Sequence, residues 1–280
     1  MLAKILLTAL ALLMVAFAIR FDPSRSRSLL GSGQHDGPRL RLLTWNVGYA
    51  AEENDSRAHT RDLRAVADTI LSKDPDAVAL QELTGPDQLK VLLGFLHNRY
   101  QGAIAPPGSA DRVTAVLVKS RGARFDNFAA DQRYAVAATF HVRPELPETV
   151  VVSAHADAFK AERRRVFTGD VVDWVRNRPN GPTVFVAGDF NFELNAKDES
   201  HLYTDNVKND SEAYSYVLKY FRDLGRDAGR TAIDDRRIDY IFGPREGIAL
   251  RREAHRKQKR RRKDRAAFLI AYRLDADQAA

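Results

Sequence analysis

The sequence predicts a protein of the α/β class, built as one domain. Short apolar runs of strand length, rich in Val, Ile and Phe, alternate with longer segments whose apolar residues recur at helical spacing. The chain has 280 residues, enough to bury a large core, and contains no internal repeat that would divide it into similar units. The even spread of strand signals therefore favours one large domain over two small ones.

The segment on which this interpretation rests is residues 183–192, an apolar run that ends in Gly188, Asp189 and Asn191. Its first part predicts a buried strand, and the glycine allows the chain to turn at its end. Ligands of α/β sheets bind at strand ends, where a carboxylate can hold a metal or orient a water. An amide can donate to a phosphate oxygen without repelling it. The pair indicates phosphoryl chemistry, although a strand followed by an Asx turn has the same pattern.

Four other predicted strands end in a single polar side chain of metal or phosphate chemistry. These side chains are Asn46, Glu82, His155 and Asp239, from the runs at residues 39–47, 76–80, 150–153 and 237–241. A neutral His can pass a proton or donate to phosphate near neutral pH, and Asp157 is placed to orient its ring. Five strand ends of this kind point to a single site.

The remaining elements are predicted from periodicity. Helices are expected at residues 56–72, 86–98 and 162–178, and further strands at 113–118, 135–142 and 267–274. Within the third helix, residues 163–165 are three arginines that we expect on a solvated face. The residues from 192 to about 209 are expected to form a polar loop that tunes substrate choice.

Taken in chain order, the five strand ends resemble the signature blocks of the endonuclease/exonuclease/phosphatase superfamily, which has the DNase I-like fold. The blocks read Trp45-Asn46, Gln81-Glu82, His155, Gly188-Asp189-Phe190-Asn191 and Arg237-Ile238-Asp239-Tyr240. The resemblance covers about residues 39–275. It implies a four-layer α/β sandwich, in which two mixed β-sheets pack face to face with helices outside. It also implies a Mg²⁺-dependent phosphodiesterase, for which Mn²⁺ is a possible substitute.

The same resemblance implies a role for each motif residue. Glu82 and Asn46 would hold the metal, and a hard cation such as Mg²⁺ does prefer oxygen ligands. Asp189, with Asp239 nearby, would orient or deprotonate the attacking water. Asn191 and His155 would donate to the phosphoryl oxygens, and His155 would protonate the leaving group. Two arginines at strand starts, Arg133 and Arg237, are candidate phosphate ligands. Tyr134 is a candidate stacking ring, and the alternative for Arg133 and Tyr134 is a structural role.

The family's final block, a Ser-Asp-His at the start of the last strand, is altered in this chain. Asp264 stands at the position of the Asp and is a further candidate metal ligand, whereas Arg265 stands at the position of the His. An Arg side chain stays protonated and cannot act as a general base. Three alternatives follow: His155 and Asp189 act with a metal-activated water, His255 substitutes, or the scaffold is retained without its chemistry.

The positive charge of the chain is concentrated in one segment. The formal net charge is +7, and residues 251–265 carry ten Lys and Arg against two acidic residues, so the rest of the chain is nearly neutral. Residues 256–263 are expected beside the active site, in contact with nucleic acid as substrate or with an anionic lipid surface. A solvated loop is the alternative. The run has no aromatic residues for base stacking, which argues against sequence-specific reading.

These observations favour a non-specific nuclease. A phospholipid diesterase of sphingomyelinase type is the alternative, and a catalytically silent, membrane-tethered polyanion-binding protein is another. The sequence contains no evident site for a protein partner, and we expect a monomer.

Residues 1–20 have the form of a signal peptide or an N-terminal membrane anchor. A cationic start precedes an apolar run with a small-x-small site at Ala16 and Ala18. Export is the expectation, although Arg20, Arg25 and Arg27 would suit an anchor whose C-terminal side faces the cytoplasm. Residues 21–38 are a predicted flexible linker, 39–275 the domain and 276–280 a tail. The absence of Cys excludes disulfides and thiolate metal sites.

Overall fold

The computed structural model describes residues 38–48, 56–108, 112–179, 181–194, 204–232, 236–245, 249–255 and 267–274. The predicted N-terminal segment, most of the linker, the basic run 256–263, Asp264, Arg265 and the tail lie outside the described residues. Within the described part, no helix combines the length and the apolar character needed to cross a membrane.

Within these described ranges, twelve strands form two sheets of six. The first sheet has the order β11-β12-β1-β2-β4-β3. Its strands are β1 (Arg39–Asn46), β2 (Ala77–Leu83), β3 (Gln101–Ile104), β4 (Val113–Val118), β11 (Ala249–His255) and β12 (Ala267–Arg273). Strands β1 and β2 are parallel, and the other neighbouring pairs of this sheet are antiparallel.

The second sheet has the order β5-β6-β7-β8-β10-β9. Its strands are β5 (Arg124–Ala130), β6 (Arg133–Phe140), β7 (Thr149–His155), β8 (Thr183–Asp189), β9 (Arg222–Asp223) and β10 (Asp239–Gly243). Here β7 and β8 are the parallel pair. Each sheet thus has a central parallel pair whose two carboxyl ends lie at the same edge.

In the part of the chain that the structure describes, four helices cover the outer faces of the sheets. They are α1 (Ser56–Lys73), α2 (Pro86–Phe95), α3 (Ala161–Arg176) and α4 (Val207–Leu218). Apolar residues of α1 and α2 cluster with one face of the first sheet, and those of α3 and α4 cluster with one face of the second. A third cluster, including Leu42, Val151 and Phe185, fills the space between the sheets. This arrangement is the predicted four-layer α/β sandwich.

The central strands are buried on both faces, which explains why the sequence marks them as continuous apolar runs. Five elements were not predicted, of which β3 and β9 are short strands of four and two residues. Edge strand β5 has an exposed, polar sequence, and β11 lies partly within the charged segment. Helix α4 begins inside the expected loop, where the side chain of Asn206 accepts a hydrogen bond from Asn209 N at 3.2 Å as its N-cap.

A buried polar bridge joins the two sheets. Gln81 Nε2 donates to Ser153 Oγ at 3.2 Å, and Ser153 Oγ in turn donates to the carbonyl of Leu80 at 3.2 Å. Because β2 and β7 belong to different sheets, these bonds fix the carboxyl ends of both strands relative to each other. Glu82 follows Gln81, and His155 lies two residues beyond Ser153.

Candidate active site

Glu82 is presented to the site by a β-bulge. The pairing of β2 with β4 shifts register between Leu80 and Leu83, and Glu82 takes a left-handed backbone conformation with φ of 63°. Such a conformation is unfavourable for a residue with a Cβ, so the surrounding structure must impose it. The bulge turns the Glu82 side chain out of the regular alternation of the strand. That side chain remains only 13% exposed.

Asp189 and Asn191 follow the close approach of two strands. Gly188 has φ of 158°, and a Cβ at this position would lie 1.9 Å from the carbonyl oxygen of Ala154 in β7. Only glycine therefore fits here. Asp189 is fully buried, and its Oδ1 accepts a hydrogen bond from Asn191 N at 3.1 Å. This bond forms an Asx turn, so the turn offered as the alternative interpretation of this segment is present together with the convergence of its polar side chains on the site.

Asn46 connects the two carboxylates across the sheets. Its Nδ2 donates to Glu82 Oε1 at 2.8 Å and to Asp189 Oδ2 at 2.7 Å, while its Oδ1 accepts from Gly48 N at 2.9 Å. The last bond fixes the orientation of the amide. In this arrangement Asn46 donates hydrogens to both carboxylates. Its oxygen accepts from Gly48 N and keeps a second lone pair, so the role of Asn46 as a metal ligand stays a prediction.

His155 ends β7 beside the same carboxylates. It is paired in register with Asp189 of β8, and its Nε2 lies 3.9 Å from Glu82 Oε1. Ligand-type atoms of Glu82, His155 and Asp189 all lie within 4.8 Å of one another. The three predicted residues thus converge from both sheets onto one point.

Asp239 lies on the other side of Asp189. Strand β10 pairs with β8 so that Asp239 faces Asp189 in register, and Asp239 is buried. The backbone nitrogens of Ile238 and Asp239 donate to Thr231 Oγ1 at 3.1 and 3.0 Å, which fixes the start of the strand. The predicted proximity of Asp239 to the site agrees with this register.

Asn191 is the remaining motif residue, and it is held at the edge of the site. Its left-handed backbone, with φ of 53°, is one that Asn tolerates better than most residues. Its Nδ2 donates to the carbonyl of Ala156 at 3.3 Å, directly after His155. The loops after β7 and β8 are therefore joined through this side chain.

Arg133 lies near His155 through the loop after β7. Its Nη2 is 3.6 Å from Asp157 Oδ2, and Arg133, Tyr134 and His155 line one narrow cleft. Asp157 does not orient His155 as expected. Its Oδ1 instead accepts from the backbone nitrogens of Phe159 and Lys160 at 2.9 and 2.8 Å, just before α3. Burial opposes ionisation of Asp157, but these bonds and the charge of Arg133 give a net lowering of its pKa.

Arg237 has a structural environment. Its guanidinium forms a bidentate pair with Asp223, with Nη1 3.1 Å from Oδ1, and it lies 4.2 Å from the ring centroid of Tyr240. Tyr214 OH also donates to Asp223 at 2.9 Å, and burial together with this carboxylate raises the pKa of Tyr214 to about 12. These contacts indicate a structural role for Arg237, because both of its terminal nitrogens bind Asp223, and phosphate binding by Arg237 stays a prediction.

The sequence interpretation also missed a buried ion pair beside the site. Arg164 and Asp210 are both fully buried, with Nε–Oδ1 at 2.6 Å and Nη2–Oδ2 at 2.8 Å. Arg164 also donates to the carbonyl of Asp157, and Asp210 accepts from Glu193 N. The expectation that Arg164 lies on a solvated face is therefore wrong. Arg164 lies three residues after Ala161 and three before Phe167, which are both buried, and this helical spacing could have indicated that Arg164 faces inward.

The donor set fits a hard divalent cation. Glu82 and Asp189 bring two carboxylates together in a largely buried place, where like charges are costly unless a cation compensates them. Carboxylate oxygens with a neighbouring imidazole suit Mg²⁺ or Mn²⁺. Within the described ranges, this group is the one cluster of acidic and His side chains with metal-binding spacing.

The fold and this site define an α/β sandwich with a carboxylate–histidine centre at the edge where its two sheets meet. The chain belongs to the endonuclease/exonuclease/phosphatase family, because the sequence model of that family matches residues 43–257. The predicted family is thereby confirmed. A comparison with curated proteins found no match.

Solved structures share the fold at low sequence identity. The endonuclease/exonuclease/phosphatase from Beutenbergia cavernae is 19% identical with a TM-score of 0.64, covering 84% of this chain and 72% of its own. A truncated TDP2 from Caenorhabditis elegans is 18% identical with a TM-score of 0.64, covering 84% and 98%. The endonuclease/exonuclease/phosphatase from Bacteroides vulgatus is 17% identical with a TM-score of 0.64, covering 85% and 100%. These likenesses confirm the predicted fold class.

Proposed function

We propose that this protein is a metal-dependent phosphodiesterase that acts on nucleic acid without strong sequence preference. The observation that carries the proposal is the meeting of Asn46, Glu82, His155 and Asp189 at one point, although they come from two sheets. Family membership supports hydrolysis of phosphoester bonds. The basic segment at residues 251–265 supports a polyanionic substrate.

Glu82 and Asp189 would hold a divalent cation, and Asp264 remains a further candidate ligand. When bound, the cation polarises the phosphate and stabilises the charge of the transition state. Asn46 donates to both carboxylates, so it keeps their oxygens directed at the same point. The amide thereby orients the ligand oxygens before a metal binds.

Hydrolysis requires a water to lose a proton and a leaving oxygen to gain one. Asp189, with Asp239 beside it in register, takes a proton from the water as its oxygen bonds to phosphorus. The bond from phosphorus to the leaving oxygen then breaks, and His155 gives that oxygen a proton. Asn191 donates to a phosphoryl oxygen as charge develops on it. This division of roles needs no general base at position 265.

Nicking of supercoiled plasmid by the purified full-length protein tests the proposal. We expect cleavage with Mg²⁺ or Mn²⁺, none with EDTA, and a loss of at least a hundredfold in Glu82→Gln and Asp189→Asn. Glu145→Gln is the matched control, because it removes an exposed carboxylate that precedes the start of β7, the end opposite to His155. Absence of cleavage of DNA and RNA by the wild-type protein under all metal conditions would overturn the nuclease assignment.

A phospholipid diesterase is the second candidate function. The apolar N-terminal segment favours it, since it would place the domain near a membrane surface. Release of a phosphorylated head group from vesicles, sensitive to Asp189→Asn, would support this alternative. Salt-dependent retention of polyanions without turnover on either substrate would instead support the silent binding protein suggested by Arg265.

A further inference from the structure

Two exposed aromatic residues belong to the strand and the loop that adjoin His155. Large hydrophobic side chains with high exposure in the described residues are Val91, Tyr134, Phe159 and Val166. Tyr134 is 36% exposed and Phe159 is 64% exposed, and Phe159 follows His155 by only four residues. Exposed apolar residues scattered singly need no explanation, but two exposed aromatic residues on the segments that flank a reaction centre do.

The position of Tyr134 follows from strand register. Strand β6 pairs with β7 through Val136 opposite Ser153, and continuing this antiparallel register by two residues puts Tyr134 opposite His155. Side chains directly opposite each other lie on the same face of the sheet, with Cβ atoms about 5 Å apart. Consistent with this, Tyr134 and His155 line one cleft together with Arg133. Gly108 packs against one side of the ring, because a Cβ there would lie 3.3 Å from Tyr134 Cδ2.

The backbone of Phe159 is held, although its ring is not buried. Asp157 Oδ1 accepts the bond from Phe159 N at 2.9 Å, and Asp157 Oδ2 lies 3.6 Å from Arg133. Asp157 thus links the residue that precedes Tyr134 to the backbone of Phe159. The cationic side chains of Arg133 and Lys160 adjoin the two rings in sequence. A fixed backbone reduces the entropy that a ring loses when a ligand covers it.

We propose that Tyr134 and Phe159 form a stacking subsite for unpaired bases that flank the scissile phosphate, so that single-stranded polynucleotide is the preferred substrate. This inference rests on the proposed nuclease function. Stacking on aromatic rings requires a free base face, which a duplex does not offer at its interior positions. Rings combined with cations that track the backbone are the usual means of holding single strands without sequence preference.

A membrane surface is the competing ligand for exposed aromatic rings. Insertion into lipid requires a contiguous apolar surface. Here Arg133 directly precedes Tyr134 in the chain and is paired with Asp157, which precedes Phe159 by two residues, and Val91 belongs to α2 on the other side of the sandwich. These charges beside the aromatic residues favour polynucleotide over lipid.

The test compares cleavage of a single-stranded oligonucleotide with cleavage of its duplex. We expect the wild-type protein to prefer the single strand, and Tyr134→Ala and Phe159→Ala each to raise its KM by about 5- to 100-fold, with kcat less affected. Phe159→Trp should have a KM close to that of the wild-type protein. Phe159→Leu should instead have a raised KM like that of Phe159→Ala, because Leu keeps apolar area but has no aromatic face. Val166→Ala, at an apolar position on α3 that is about as exposed as Tyr134, is the matched control and should leave the KM unchanged.

A binding measurement separates this inference from catalysis. An oligonucleotide carrying the fluorescent base 2-aminopurine is titrated with the Asp189→Asn protein, and stacking should quench its fluorescence. Loss of the quench in Asp189→Asn/Phe159→Ala and Asp189→Asn/Tyr134→Ala would support the subsite.

Cleavage of DNA by the wild-type protein with unchanged KM in both ring variants would overturn the subsite and leave the nuclease function standing. Failure of the wild-type protein to bind or cleave any polynucleotide would overturn both. Full activity of Phe159→Leu, with loss of vesicle binding in Phe159→Ala, would overturn the subsite in favour of a lipid surface.

Discussion

Asn46 of the first sheet and Asp189 of the second are joined by a hydrogen bond of 2.7 Å from Nδ2 to Oδ2. The same amide nitrogen donates to Glu82, so one side chain connects two carboxylates that would otherwise repel each other. The site therefore depends on the relative placement of two sheets, not on one loop. The hydrogen bond from Gln81 of β2 to Ser153 of β7 is a second connection between the two sheets, close to the site in both strands.

Removal of the Asn46 amide should destabilise the site before any metal binds. We expect Asn46→Ala to lower the free energy of unfolding in EDTA by about 2 kcal/mol, because hydrogen bonds to buried charged groups are lost. Urea denaturation measures this value. Asn127→Ala, which removes an exposed amide from β5, should change it by less than about 0.5 kcal/mol. Equal effects in the two variants would contradict the bridging role.

The contact of Gly188 with β7 gives a prediction with an internal control. We expect Gly188→Ala to lower the free energy of unfolding by about 3 kcal/mol or more, since the added Cβ meets the backbone oxygen of Ala154 at 1.9 Å. Gly94→Ala should be neutral or stabilising by up to about 1 kcal/mol, because Gly94 lies in α2 with open space around it. Thermal unfolding of both variants checks this, and a well-folded Gly188→Ala protein would contradict it.

The motif residues could be predicted because the end of a strand has a recognisable sequence pattern. Apolar runs followed by Asp189, Glu82 or His155 identify both the element and the polar group that it carries. Parallel strand pairs then bring such ends to one edge, so convergence could be expected without coordinates.

Other features could not be predicted, because they depend on partners far along the chain. The bulge at Glu82 arises from the pairing of β2 with β4, and the orientation of the Asn46 amide depends on Gly48 and on Asp189, 143 residues away. The pairing of Arg237 with Asp223 likewise could not be predicted from the sequence. A buried cation is rare enough that a charged residue on a helix is ordinarily assigned to solvent.

Asp157 gives a prediction that depends on pH. Its pKa is lowered in the folded protein, so it stabilises the fold above the ordinary value near 3.8, and this contribution is lost as the pH falls through the lowered pKa. Asp157→Asn should therefore lower the free energy of unfolding by about 1 kcal/mol at pH 7 and pH 5. The difference from wild type should shrink below about pH 4. Urea titrations at pH 7, 5, 4 and 3 measure it, and a difference that stays constant down to pH 3 would contradict the assignment.

The buried pair of Arg164 and Asp210 should be the most sensitive ionic contact near the site. Removal of one partner leaves the other charge buried, so we expect Arg164→Met to lower the free energy of unfolding by about 3–5 kcal/mol. Arg165→Met is the matched control, since the neighbouring arginine is exposed and pairs only with Glu162 one turn away, and it should cost about 0.5 kcal/mol.

The double variant Arg164→Met/Asp210→Leu shows whether the lower free energy of unfolding of Arg164→Met is caused by the unpaired charge or by altered packing. With both charges removed, the free energy of unfolding should recover by at least about 2 kcal/mol relative to Arg164→Met alone. Because Arg164 and Asp210 also bind the backbone of Asp157 and Glu193, the loops after β7 and β8 should loosen in the single variant. Hydrogen exchange at residues 157–160 and 192–194 reports this loosening. Equal stability of Arg164→Met and Arg165→Met would show that the pair does not hold these loops.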